Sequence, residues 1–90
     1  MLSLTDCLDF VDLDAATIEV IARHEDLPLI VAAELGHQLL ADLRGIFVLH
    51  QMHRSLIELA AERGQLDEEK QLRKAYTAFS RKYPVPRQLP

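Results

Sequence analysis

The chain is poor in cysteine: among its 90 residues there is one, Cys7. A single cysteine cannot form a disulfide within the chain, although disulfides are what small secreted domains usually use to compensate for a thin core. The first residues carry no lysine or arginine, and Asp6, Asp9 and Asp12 interrupt the apolar residues there. No signal peptide is therefore expected, and we predict a cytoplasmic protein.

Long apolar runs are also missing. The longest extends from residue 27 to residue 33 and is closed by Glu34, whereas a membrane-spanning helix needs about 20 such residues. Glycine-rich nucleotide-binding motifs and the alternating pattern of strands are absent as well. Cys7 is flanked by aspartates, which disfavour a thiolate, and Ser55 and Ser80 lack a glycine-rich elbow. An enzyme is therefore not the expected function, and no cofactor is implied.

Apolar residues are plentiful instead, at 49 % of the chain. A chain this short buries only about 60–65 % of the surface that it exposes when unfolded. Much apolar surface and little interior favour a subunit interface. We therefore predict a homo-oligomer, most simply a dimer.

Apolar residues recur at helical spacing along most of the chain, and this predicts an all-α fold. We expect one domain over residues 1–83, with 1–13 as a short helix or an arm and 84–90 as an extended tail. The domain is predicted to be a small bundle of about four short helices, with approximate bounds 15–24, 28–43, 46–63 and 67–83.

Polar and helix-breaking residues set these bounds. Asp14 is a suitable N-cap for the first helix, and Pro28 suits the first position of the second. Gly45 is the predicted break between the second and third helices, although one long helix kinked at Gly45 is an alternative. Gly64 ends the third helix, and Asp67 is the predicted cap of the fourth.

Two pairs of residues, each containing histidine, are the only ones whose spacing indicates a metal site. His50 and His53 lie three residues apart on the third helix, and Glu34 and His37 form a Glu-x-x-His pair on the second. The two pairs are expected to point in different directions, so they could meet only across an oligomer interface. A core histidine whose N–H is hydrogen bonded to a backbone carbonyl or a neighbouring side chain is the simpler interpretation of His53.

The second helix carries apolar residues on more than one face. Leu29, with Ala32 and Leu35, belongs to the predicted buried face, whereas Ile30 and Val31 fall outside it. These two β-branched residues predict a second contact surface. The leading hypothesis is therefore a non-enzymatic protein–protein interaction module, and a metal- or cofactor-binding protein using His50 and His53 is the alternative.

Charge is divided unevenly along the chain. Residues 1–45 hold nine acids and two bases, whereas residues 46–90 hold five acids and eight bases, and no acid follows Glu69. A basic fourth helix gives a second alternative, a nucleic-acid accessory protein. Its acidic first turn and its lack of exposed aromatic residues disfavour that alternative, and solvated helix faces are the simpler explanation.

Three segments resemble a group of short bacterial helical proteins of unknown function. They are Asp6-Cys7-Leu8-Asp9-Phe10, Ile21-Ala22-Arg23-His24-Glu25 and the run from Pro28 to Gly36. The resemblance covers roughly the first 40 residues, and it implies a bacterial cytoplasmic protein. The group has a second histidine where this chain has Asp26, so a histidine-rich site at this corner is not implied.

Overall fold

The computed structural model describes residues 15–87, and every regular element in that range is an α-helix. In chain order these are α1 (Ala15–Glu25), α2 (Leu29–Leu39), α3 (Leu43–Glu62) and α4 (Leu66–Lys82). The predicted all-α bundle is therefore confirmed. The expected N-terminal arm, the Asp14 cap and the last three residues of the tail lie outside the described range.

The longest helix, α3, is the centre of the bundle and packs against the other three. Its inward face follows the helical repeat, so it places a continuous apolar stripe in the interior. The shorter helices each bury a few side chains against that stripe. The buried apolar side chains are Ile18, Val20, Ile21, Ala32, Ala33, Leu49, Met52, Leu56, Ile57, Ala60, Leu72 and Phe79.

The corner between α1 and α2 is a stop followed by a restart, as predicted. Asp26 has a φ of 55°, and the Leu27 N–H donates to the Ala22 carbonyl at 2.9 Å. This left-handed residue with its backward hydrogen bond ends α1. Pro28 occupies the N-cap position of α2 and not the predicted first helical position. The helix therefore begins at Leu29, one residue later than predicted.

The predicted break at Gly45 is wrong. Helix α2 ends at Leu39 and α3 begins at Leu43, so Gly45 lies inside the first turn of α3. The two helices are separate, and neither a turn nor a kink occurs at Gly45. The reason is Asp42, whose extended backbone precedes α3 and whose side chain accepts a hydrogen bond from the Gly45 N–H at 2.8 Å.

Gly45 is required by a close approach of two helices. A Cβ atom at this position would lie 1.8 Å from the backbone oxygen of Leu39, at the end of α2. No side chain fits into that space without displacing backbone. Gly45 therefore allows the end of α2 to lie directly against the first turn of α3.

The turn between α3 and α4 follows the prediction at Gly64. This residue has a φ of 71°, and the Gln65 N–H donates to the Ala60 carbonyl at 3.0 Å, which is the Schellman pattern of a helix end. The predicted cap at Asp67 is wrong by two residues, because Gln65 occupies the cap position and makes no side-chain cap. Asp67 lies in the first turn instead, where the helix dipole favours its negative charge.

Gly45→Ala should lower the free energy of unfolding by about 2–3 kcal/mol, because the added methyl group overpacks the corner against Leu39. The same substitution in an uncrowded helix would raise stability by roughly 0.5–1 kcal/mol. Urea denaturation followed by circular dichroism measures the difference. Gly64→Ala, which has open space but a positive φ, is the control and should cost only about 1–2 kcal/mol. A neutral or stabilising Gly45→Ala would contradict the close approach.

Candidate functional site

A pair of histidines lies at the joint between α3 and α4. His50 and His53 are one helical turn apart on α3, and each residue is only 1 % exposed. Both rings contact Tyr76 and Phe79 of α4. Sequence spacing predicted that the two histidines share one side of their helix, and the structure places that side in the interior.

Both ring nitrogens of His50 are hydrogen bonded. Nε2 lies 2.7 Å from the Tyr83 carbonyl oxygen, and Nδ1 lies 2.9 Å from the Tyr76 hydroxyl. A carbonyl can only accept, so Nε2 carries the hydrogen and donates it. In the neutral ring Nδ1 then accepts from the Tyr76 O–H. The two contacts therefore define one tautomer of a neutral imidazole.

The bond from His50 ties the end of α4 to the middle of α3. Tyr83 immediately follows α4, and its own N–H donates to the Phe79 carbonyl at 2.8 Å. Carbonyl groups at a helix C-terminus have no partner within the helix. The His50 N–H supplies a partner for the Tyr83 carbonyl. This hydrogen bond holds the end of α4 in place, directly before Pro84.

His53 is held by ring stacking alone. Its ring lies within 28° of parallel to Tyr76 at a centroid distance of 5.3 Å, and within 23° of parallel to Phe79 at 4.9 Å. Neither of its nitrogens has a hydrogen-bond partner among the described residues. The prediction of a buried histidine is confirmed for His53, but the hydrogen bonds expected of it are found on His50 instead.

Burial keeps both rings uncharged. Burial, the larger cause, and the neighbouring His50 together lower the pKa of His53 to about 4. Burial also lowers the pKa of His50, with a smaller contribution from Arg54, while the hydrogen bond to the Tyr83 carbonyl acts in the opposite direction. At neutral pH the joint therefore contains two neutral imidazoles.

The metal-binding residues predicted from sequence do not converge within residues 15–87. Glu34 and His37 lie on the exposed side of α2, away from the buried His50 and His53. No group of three His, Cys, Asp or Glu side chains in that range could hold a metal ion. The form of the hypothesis in which a second copy supplies Glu34 and His37 stays a prediction, and it would require the α3–α4 joint to open.

Exposed apolar residues form a second candidate site at the start of α2. Ile30 is 64 % exposed and Val31 is 43 % exposed, which agrees with the prediction that they lie outside the buried face. Leu29 was predicted to face the interior, yet it is 40 % exposed. The inward face of α2 is made of Ala32, Ala33 and Gly36, so the first turn of this helix keeps its three large side chains outside.

The basic fourth helix is only partly neutralised within the described chain. Arg73 donates to Glu69 at 2.8 Å, and Glu68 pairs with Arg23 of α1. Neither Lys70 nor Lys74 makes an ion pair with any of residues 15–87. A nucleic-acid role for this helix stays a prediction.

Comparisons of the chain with protein-family models, with curated proteins and with solved structures find no match. Among the described helices, none is both long enough and apolar enough to cross a membrane. The candidate sites within residues 15–87 are the buried histidine pair at the α3–α4 joint and the apolar first turn of α2.

The histidine joint should make stability depend on pH. Between the ordinary histidine pKa of 6.5 and the value of about 4 in the fold, the unfolded chain binds a proton that the folded chain does not. Stability is therefore complete above about pH 6.5 and falls as the pH drops towards 4, by on the order of 3 kcal/mol. Urea denaturation in steps of pH measures this decline.

His53→Leu should flatten that decline between pH 6.5 and pH 5, a window in which most carboxylates are still ionised. His37→Gln, at an exposed histidine, is the matched control and should leave it unchanged. An equal slope for wild type and His53→Leu would show that burial of this ring is not its cause.

Tyr76→Phe should lower the free energy of unfolding by about 1–3 kcal/mol, because it leaves the buried Nδ1 of His50 without a donor while keeping the ring stack. Chemical denaturation measures the loss, and ¹⁵N NMR of the imidazoles reports the tautomer. The neighbouring control Thr77→Val removes a hydroxyl that donates to the exposed Arg73 carbonyl and should cost no more than about 0.5 kcal/mol. Equal costs for the two variants would contradict the assigned hydrogen bond.

Proposed function

We propose that the protein is a non-enzymatic interaction module that self-associates, most simply as a dimer, through the first turn of α2. The observation that carries this proposal is the exposure of three consecutive large apolar residues, Leu29, Ile30 and Val31, at 40, 64 and 43 %. Successive helical residues point about 100° apart. Together the three side chains therefore cover more than half of the helix circumference, which we call the α2 patch.

The chemistry around the α2 patch supports a protein partner. Among the 11 residues of α2, the only ionisable side chains are Glu34 and His37, and both lie beyond the first turn. The centres of protein interfaces are depleted of charge and rich in apolar side chains. Burial of an exposed Leu, Ile or Val stabilises a complex by roughly 1.5–3 kcal/mol per side chain. A large apolar patch on a helix whose first turn carries no ionisable side chain is suited to binding another protein.

A second copy of the chain is the simplest partner for the α2 patch, because it presents the same apolar surface. An apolar patch is complementary to itself, and two-fold dimers, in which each subunit presents the same surface, are the commonest oligomers. A domain of 90 residues also has a small interior for its 49 % of apolar residues. Self-association would bury side chains that this interior cannot accommodate.

The resemblance of the first 40 residues to short bacterial proteins supports a bacterial origin. The single cysteine supports a reducing compartment, since small domains of oxidising compartments usually carry several. We place the module in the bacterial cytoplasm on these two grounds.

Replacing Ile30 and Val31 together by glutamine should raise the dissociation constant of the dimer at least tenfold, which corresponds to about 1.4 kcal/mol. Both side chains are already exposed, so helicity measured by circular dichroism should not change. Sedimentation equilibrium over a range of concentrations measures the mass. The loss of association follows from removing apolar area that only the dimer buries.

Leu66→Gln is the matched control, because Leu66 is even more exposed, at 74 %, but lies at the start of α4. It should leave the dissociation constant unchanged. Native mass spectrometry of the same samples reports any bound metal or small molecule along with the subunit number. A wild type that is monomeric at every concentration, or a double variant that associates as well as wild type, would overturn the proposal.

A further inference from the structure

An open groove runs between α1 and α4. It has a volume of about 440 Å³, and its floor is made of alanine methyl groups from both helices. Because alanine side chains are small, the groove has room for larger apolar side chains of a bound segment. Its lining residues are Ala16, Gln71, Lys74, Ala75 and Ala78.

An ion pair bridges the two helices beside the groove, between Arg23 of α1 and Glu68 of α4. A smaller cleft extends from this ion pair to Ala16 and Ala75, and the buried Leu72 also lines it. The wider groove adjoins this cleft at Ala16, near the beginning of α1.

One edge of the groove is basic. Lys70, Lys74 and Arg81 lie along one flank of α4, because positions four and eleven residues apart share a side of a helix, and all three are exposed. Lys74 itself lines the groove. Since no acid follows Glu69 in the sequence, α4 cannot neutralise this edge beyond its first turn.

The first 14 residues of the chain have the complementary composition. They contain four aspartates and no lysine or arginine. The same segment also contains large apolar residues of the kind that an alanine floor can accept. These are Leu2, Leu4, Leu8, Phe10, Val11 and Leu13.

The connection and the length also fit. Residue 14 joins directly to α1, and Ala16, two residues later, lines the groove. Fourteen residues reach roughly 21 Å even at the short rise of a helix, and about 46 Å when extended. The 17 residues of α4 span only about 25 Å. The segment can therefore follow the groove along most of α4 without leaving its own subunit.

We propose that residues 1–14 of the same chain occupy the groove between α1 and α4. Their apolar side chains cover the methyl groups of Ala75 and Ala78, and their aspartates lie against Lys74 and Arg81. The acidic beginning of the chain then neutralises its basic end within one subunit. This contact also competes with any nucleic acid for the same basic edge, because both would place negative charge there.

Cys7 allows a direct test in the unaltered chain, since it is the only thiol in the sequence. A nitroxide spin label on Cys7 should broaden and remove the amide NMR signals of Ala75 and Ala78. The signals of Ile30 and Val31, on α2, should persist. A mixture of ¹⁵N-labelled protein without nitroxide and unlabelled protein with nitroxide separates contacts within one subunit from contacts between two.

Charge reversal then tests the basic edge. Lys74→Glu should restore the lost Ala75 and Ala78 signals, whereas Arg54→Glu, at an exposed arginine of α3, should not. Three results would overturn the proposal. They are persistence of the Ala75 and Ala78 signals in the spin-labelled protein, loss of the same signals in the mixed sample as well, which would place the segment on a second copy, and equal effects of the two charge variants.

Discussion

The joint between α3 and α4 keeps two neutral imidazole rings out of water, and each of the two histidines is only 1 % exposed. His50 gives its N–H to the Tyr83 carbonyl, and so it does for the end of α4 what Asp42 does for the start of α3. His53 has no such bond within the described chain. An unsatisfied buried N–H costs about 1–3 kcal/mol, while each aromatic stack returns about 0.5–1.5 kcal/mol. A leucine would fill this space without that cost, so stability alone does not account for a histidine at position 53.

The packing of α2 links the interior to the exposed surface. This helix approaches its neighbours so closely that Gly45 of α3 has no room for a Cβ beside Leu39. Close approach requires small inward side chains, and α2 accordingly buries Ala32, Ala33 and Gly36. Of its large apolar residues, Leu35 and Leu39 pack partly against the core, whereas the three of the first turn stay exposed. The α2 patch is therefore a consequence of how tightly α2 is packed.

Helical spacing predicted the fold class and two of the three corners, because the information at Asp26 and Pro28, in the first corner, and at Gly64, in the third, is local. It failed at Gly45, since the atom that excludes a side chain there belongs to the preceding helix. The hydrogen bonds of the histidine joint were equally beyond prediction. His50 and His53 share a face and a neighbourhood in the sequence, and the Tyr83 carbonyl that distinguishes them lies 33 residues from His50.

The two proposals assign different partners to two exposed surfaces of the described helices, the α2 patch and the groove between α1 and α4. The α2 patch consists of large apolar side chains with no base beside it on α2, so a copy of itself is complementary to it. The groove beside α4 has an alanine floor and a lysine edge, so its complement must be apolar and acidic, as residues 1–14 are. A segment held within its own subunit leaves the α2 patch accessible. If both proposals hold, self-association and docking of the segment are independent, and a change in one need not alter the other.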